Sequence, residues 1–387
     1  MLEMAAAMER LGTESAFQVL EQAQALEDQG FNVINLGIGQ PDFKTPAHIV
    51  EAAAKALRDG YHGYTPAQGI LELRQAVAKD ISNRRNVEID PGNILIVPGG
   101  KVTMFFAILM FGEPGSEIIY PNPGFPIYKS VIDYSGARAV PMPLYEKTGF
   151  SFNAEEVLGL ITPRTRLIIL NSPANPTGGV VPRSEIEILV SGLEAHPKIH
   201  ILSDEIYSRL LYKGLEHVSL LGFESIRDRV IVLDGWSKTY AMTGWRLGYG
   251  VWPSSLIELA SRLAINSYSC VSAPTQFAGI AALEGPQDCV VDMIANFDER
   301  RTIIFSELNN LPGITCNESA GAFYAFANIN GTGMRSVEFQ NKMLKEAGVA
   351  TISGTSFGEF GEGFVRFSYA NSCENIQSAI KRIQEYL

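Results

Sequence analysis

The strongest constraint on this chain is a rhythm of short apolar runs separated by helix-length stretches, sustained from about residue 93 to residue 265. Asn93–Val97, Glu117–Tyr120, Ala139–Met142, Thr165–Leu170, Ile199–Leu202, Val230–Leu233 and Arg246–Val251 read as strands, rich in Ile, Val and Leu. Lys101–Phe111, Phe125–Tyr134 and Arg183–Glu194 read as the helices between them, and Pro253 opens another that runs to about Ile265. Parallel strands need a crossover, so this alternation predicts βαβ units: an α/β fold with a mostly parallel central sheet and helices on both faces.

The texture changes after about residue 285. A long helix, Gln287–Leu308, is followed by strand-like Ala322–Ala327, a helix over Ser336–Ala347, strands at Val349–Ile352 and Phe364–Ser368, and a last helix. Upstream, residues 14–29 carry Phe17, Leu20, Ala23 and Leu26 at near-helical spacing before Gly30, Val33–Leu36 is extended, and Ala47–Arg58 is a second helix. The expected division is an N-terminal segment (1–44) packing with a small C-terminal α+β domain (286–387), and a large α/β domain (45–285). A chain of 387 residues buries enough surface to need neither disulfide nor structural metal.

Charge and composition exclude several roles. Thirty-one Lys and Arg against 42 Asp and Glu leave a net charge of −11, which disfavours nucleic acid and anionic membranes as partners. No apolar run reaches the length of a membrane span, and Met1–Gly12 lacks the basic start of a secretory leader. The four cysteines form no CxxC pair and read as reduced thiols, so a cytoplasmic location is expected. His196 and His200 are separated by Pro197 at a strand start, so no metal site is expected.

Ligands of open α/β sheets bind beyond the carboxyl ends of the strands. There the sequence puts Gly99-Gly100-Lys101, then Asn171-Ser172-Pro173-Ala174-Asn175-Pro176-Thr177-Gly178, then Asp204-Glu205-Ile206-Tyr207, then Gly235-Trp236-Ser237-Lys238-Thr239. Gly99-Gly100 at a helix mouth suits an anion, through bare amides and the positive helix end. It is neither a Walker A loop nor a dinucleotide fingerprint, because the required glycines are missing. Lys238 between aromatic neighbours has the surroundings that lower an amine pKa and make a Schiff-base nucleophile. Asp204 ends an apolar strand, where a carboxylate wants a cationic partner such as a protonated heterocycle nitrogen.

At these residues the sequence resembles a known family. Ser237-Lys238-Thr239-Tyr240-Ala241-Met242-Thr243-Gly244-Trp245-Arg246-Leu247-Gly248 is similar to the lysine signature of class-I aminotransferases, pyridoxal-phosphate enzymes of fold type I. Asn175-Pro176-Thr177-Gly178, Asp204-Glu205-Ile206-Tyr207, Gly39-Gln40-Pro41-Asp42-Phe43, Tyr64-Thr65-Pro66 and Val365-Arg366-Phe367-Ser368 follow the same family pattern in order, so the resemblance spans nearly the whole chain. It implies pyridoxal 5'-phosphate as cofactor, with Lys238 binding it covalently and moving the substrate proton. Asp204 would pair with the ring nitrogen. Asn175 and Tyr207 would bond the ring's phenolate oxygen, and Phe125 would lie over the ring. Gly100, Lys101, Ser237 and Arg246 would hold the phosphate. Tyr64 would reach the site of a second subunit, which implies a homodimer. Arg366 would grip the α-carboxylate of an amino acid or 2-oxo acid, with the Gly39 backbone facing it.

For substrate choice the resemblance pulls two ways. Lys101 resembles a lysine that, in prokaryotic aspartate aminotransferases, meets the distal carboxylate, which implies aspartate or a similar donor with 2-oxoglutarate. Phe17 stands where those enzymes carry a small polar residue, which implies an aromatic or broadly neutral donor. A lyase reaction on the same fold is the remaining alternative.

Overall fold

The computed structural model describes residues 4–387; Met1–Glu3, on which part of the reading of the N-terminus falls, lie outside them. Among the described residues the strands are β1 (Ile34–Asn35), β2 (Ile94–Val97), β3 (Glu117–Asn122), β4 (Arg138–Pro143), β5 (Thr165–Asn171), β6 (His200–Asp204), β7 (Val230–Gly235), β8 (Gly248–Val251), β9 (Tyr324–Asn328), β10 (Val349–Ala350), β11 (Ile352–Ser353) and β12 (Phe364–Ser368). Seven of them form one sheet in the order β2-β8-β7-β6-β5-β3-β4. Only β8 runs antiparallel to its neighbours, so the α/β architecture with a mostly parallel sheet is as the rhythm predicts.

Strand residues alternate between faces, and both faces are buried. Ile94, Ile96, Ile168, Ile201 and Val232 enter one apolar cluster, together with Leu73, Val77 and Leu189 from helices on that side. Leu95, Val97, Leu167, Ile169, Leu202 and Ile231 enter another, with Met104, Val131 and Ala260 from helices on the opposite side. A sheet covered on both sides leaves its strand ends as the natural opening for a ligand. The register aligns those ends: Asn171 lies beside Asp204, and Asp204 beside Leu233.

The C-terminal part builds its own antiparallel sheet, β11-β12-β9, over a third cluster that includes Phe297, Ile304, Phe323, Phe339 and Phe367. The N-terminal β1 pairs in parallel with β10, and Ile34 and Leu36 join that third cluster. The stretch expected as one strand over Val349–Ile352 is divided: Val349–Ala350 pairs with β1 and Ile352–Ser353 with β12. The expected strand over Arg246–Val251 begins two residues later at Gly248, because Arg246 takes a left-handed turn (φ 53°) after the 3-10 turn Thr243–Trp245. The helix expected from Pro253 begins at Ile257. Helices over Leu71–Arg85, Ala154–Gly159 and Ala273–Glu284 add to those expected from the sequence. No helix of the described residues is long and apolar enough to cross a membrane.

Candidate active site

A cavity of roughly 560 Å³ opens beyond the carboxyl ends of the strands. Gly100, Lys101, Phe125, Asn175, Asp204, Tyr207, Ser237, Lys238 and Arg246 of the large sheet's loops and helices line it, with Gly39 and Phe17 from the N-terminal segment and Arg366 from β12. Every site residue expected of a single chain is therefore in one place. Tyr64 is not: it is 93% exposed and lines no part of this cavity.

Asp204 is buried at the end of β6. Burial pushes its carboxyl up to about 6, although the Tyr128 hydroxyl (2.7 Å) and the Ile206 N–H (3.2 Å) both donate to it and favour the anion. Among the described residues it forms no ion pair, so the most buried carboxylate of the cavity still lacks a cation. Asn171, at the end of β5, ties the neighbouring loop to this strand: its amide donates to the Asp204 carbonyl (3.1 Å), and its carbonyl oxygen accepts from the Asn175 N–H (2.9 Å).

Lys238 follows β7 and points its amine into the cavity, where it donates to the Gly39 carbonyl. Burial first, then the nearby Arg366 charge, lowers its pKa from 10.5 to about 8. An amine so placed is partly neutral near physiological pH, which is what a nucleophile or proton acceptor requires. Arg366 is buried; one guanidinium nitrogen donates to Asn175 Oδ1 (2.8 Å) and another to the Gly37 carbonyl, while its Nε is buried without a partner. Tyr324 stacks under this guanidinium at 4.6 Å, and its hydroxyl lies 2.6 Å from that of Tyr207.

Two glycines are required by close approaches. A side chain at Gly39 would meet the Tyr324 hydroxyl at 2.3 Å, so only glycine lets the loop's carbonyl reach Lys238. Gly99 is left-handed (φ +91°), and a Cβ there would sit 2.1 Å from a guanidinium nitrogen of Arg246. That guanidinium thus lies against the turn that opens the helix Lys101–Phe111, whose first amides have no carbonyl one turn earlier within the helix. A guanidinium, a helix N-terminus and the Ser237 hydroxyl lining one wall make an anion cradle.

Sequence reasoning missed Glu14, Tyr128 and the Tyr324 hydroxyl. Glu14 lines the cavity and pairs with the Lys101 ammonium at 3.1 Å. That contact joins residues 87 positions apart, and Tyr128 meets Asp204 across 76, so no local motif carries either. The side chains of Lys101 and Phe125 are themselves in contact range, the ammonium 5.1 Å from the ring centroid.

The cavity thus brings together an amine of lowered pKa, a buried carboxylate without an ion-pair partner, a helix N-terminus beside a guanidinium, and a buried arginine. Comparison with known proteins gives the family: residues 32–383 match aminotransferase class I and II, and the chain belongs to it. It is 39% identical to an aspartate aminotransferase of Pyrococcus horikoshii over 96% of this chain and 93% of that one. It is 35% identical to aromatic-amino-acid aminotransferase 2 of Thermococcus litoralis over 98% and 97%. The solved aspartate aminotransferase of Thermus thermophilus with maleate superposes with a TM-score of 0.95 at 32% identity, covering all of both chains. The protein is a transaminase of the pyridoxal-phosphate-dependent class. The cavity fits that cofactor: Asp204 lacks the cation a pyridine nitrogen would supply, and the space a Cβ would fill at Gly99 is taken by the Arg246 guanidinium, which could meet a phosphate.

Proposed function

We propose that this enzyme moves an amino group between an L-amino acid and a 2-oxo acid such as 2-oxoglutarate in a ping-pong cycle, with the residues of this cavity in the roles their chemistry suits. When bound, pyridoxal phosphate supplies the electron sink that makes the substrate Cα–H acidic. Lys238 would anchor the cofactor covalently, and its amine, partly neutral in this cavity, would take the Cα proton and return it. Asp204, kept anionic by Tyr128, holds the proton on the ring nitrogen. Asn175 and Tyr207 orient the ring through its phenolate oxygen, and Phe125 covers one face. Ser237, Arg246 and the Gly100 and Lys101 amides hold the phosphate. Arg366, braced by Asn175 and the Gly37 carbonyl, takes the α-carboxylate, beside Gly39.

The state of Arg366 carries this reading: a buried guanidinium that lines the cavity and makes no ion pair among the described residues suits a carboxylate ligand. The large domain over 45–285 supplies the cofactor's residues, the small domain over 286–387 supplies Arg366, and the 1–44 segment supplies Gly39 and Phe17. The exposure of Tyr64 supports a homodimer in which this ring serves a second copy's site. For the donor, Lys101 supports aspartate, whereas Phe17, Phe125 and the Glu14 contact to Lys101 support aromatic or broadly neutral amino acids. The deciding experiment is the half-reaction. Cofactor-loaded enzyme given one amino acid and no oxo acid should release one equivalent of 2-oxo acid per site and no ammonia; continued ammonia release would mean a lyase.

A further inference from the structure

The distal wall of the cavity holds a pair of opposite charges that the reaction does not use. Glu14 occupies the N-cap of the helix Ser15–Asp28 and makes no capping bond. Its side chain turns instead into the cavity and meets the Lys101 ammonium at 3.1 Å. The carboxylate is 19% exposed and the lysine 43%, so the acid is the more desolvated member. Its charge is felt across the cavity, where it opposes the lowering of the Lys238 amine and raises the Tyr324 phenol.

We propose that Glu14 is a specificity-determining residue: an internal counter-ion that occupies Lys101 and biases the substrate side-chain pocket against acidic donors and toward neutral and aromatic ones. This deepens the aminotransferase reading and rests on it. A donor with a neutral side chain leaves the pair intact and packs against Phe17 and Phe125. A donor with a distal carboxylate must displace Glu14 from Lys101 and then lie beside it, in a cavity where like charges are poorly screened. An acidic substrate therefore binds only by breaking an existing pair, which taxes its affinity without excluding it.

Two unreactive carboxylates test this by calorimetric titration of the cofactor-loaded enzyme: succinate, which carries a distal carboxylate, and 3-phenylpropionate, which carries a ring. Wild type should bind 3-phenylpropionate more tightly. Glu14→Gln keeps size and removes charge, and should tighten succinate about five- to tenfold while moving 3-phenylpropionate less than about twofold. Adding Lys101→Gln should cancel the gain. Unchanged or weaker succinate binding in Glu14→Gln overturns the proposal. So does a parallel change for both ligands, which would mean that the pair only pins the N-terminal helix. Binding of neither ligand to wild type would instead remove the reading of the cavity as an amino-acid site, and this proposal with it.

Discussion

Behind the active site, Arg85 should be the costliest single residue to lose. It closes the helix Leu71–Arg85 and reaches under the sheet, where its guanidinium contacts Glu205 Oε2 and Asp234 Oδ2 at 2.9 Å each. The three side chains are 4%, 1% and 5% exposed. Glu205 follows Asp204 directly, and Asp234 lies four residues before Lys238, so one cation fixes the two strand ends that carry the reacting groups. Burial works to raise the Glu205 pKa, but Arg85, then His217 and Ser219, outweigh it and hold the carboxyl down at about 2. Arg85→Ala leaves two buried carboxylates without their shared cation, a change that costs about 3–5 kcal/mol. At roughly 2 cal/mol/K of unfolding entropy per residue, a chain of 387 residues converts that loss into a fall in Tm of about 4–6 °C. Arg85→Lys, with a point charge in place of a fork, should recover part of it.

The pH dependence has a definite sign. The Glu205 pKa in the folded protein lies below its ordinary 4.5, so its contribution is complete above 4.5 and is lost as pH falls from there toward 2. The Tm gap between wild type and Arg85→Ala should therefore be full at pH 7 and shrink through that window. Scanning calorimetry at pH 7 and at steps below 4.5 measures both effects. A loss below about 1 °C at pH 7, or a gap independent of pH, would refute the view that this cation compensates the buried acids.

Two further outcomes follow from the cavity. In the cofactor-free protein Asp204 titrates near 6, so cofactor affinity should weaken as pH falls below that value, and Tyr128→Phe, which removes a donor that favours the anion, should move the midpoint upward; fluorescence titration with cofactor at several pH values reads the shift, and an unmoved midpoint sinks the role of Tyr128. If Tyr64 serves a second copy's site, chains carrying Tyr64→Ala mixed and re-associated with chains carrying Lys238→Ala should recover up to about a quarter of wild-type sites, since half the dimers then hold one complete site; no recovery in verified mixed dimers would place Tyr64 outside the site.

How much was legible follows from the range of each interaction. The sheet strands could be read because burial on both faces makes them continuous β-branched runs between glycine and proline. The helix Leu71–Arg85 could not, because Glu72, Arg74, Lys79, Asp80, Arg84 and Arg85 interrupt its apolar positions, and its partners Glu205 and Asp234 lie over a hundred residues away. Val349–Ile352 read as one strand because composition cannot show that buried Thr351 sits where the chain passes from one sheet to another. Gly100, Lys101, Phe125, Asn175, Asp204, Tyr207, Ser237 and Lys238 were legible because each lies at or just after a strand end of the central sheet, and the βαβ rule sends those ends to one edge; Arg366, Phe17 and Tyr64 follow no such strand, and only the family resemblance marked them. Glu14 follows no strand. It enters the cavity only through the packing of the N-terminal segment, which the sequence suggested without a register.

The same distinction separates the general chemistry from the choice of substrate. Lys238, Asp204 and Arg246 belong to strand ends whose positions the sheet dictates, so the proposed cofactor chemistry would be tied to the fold. Arg366 comes from the C-terminal sheet, and Phe17 and Glu14 from the first helix region, so these residues of the cavity are not placed by the central sheet, whereas Lys101 opens the helix that follows β2. The ionic state of those parts matters more than their count. Arg366 makes no ion pair among the described residues, whereas Lys101 is already paired. On the proposed roles, an arginine without a carboxylate partner would take what all substrates share, and a lysine closed by Glu14 would discriminate among what differs. Selectivity in this enzyme should therefore change through substitutions at residues 14, 17 and 101, while the cofactor's attachment at Lys238 stays as it is.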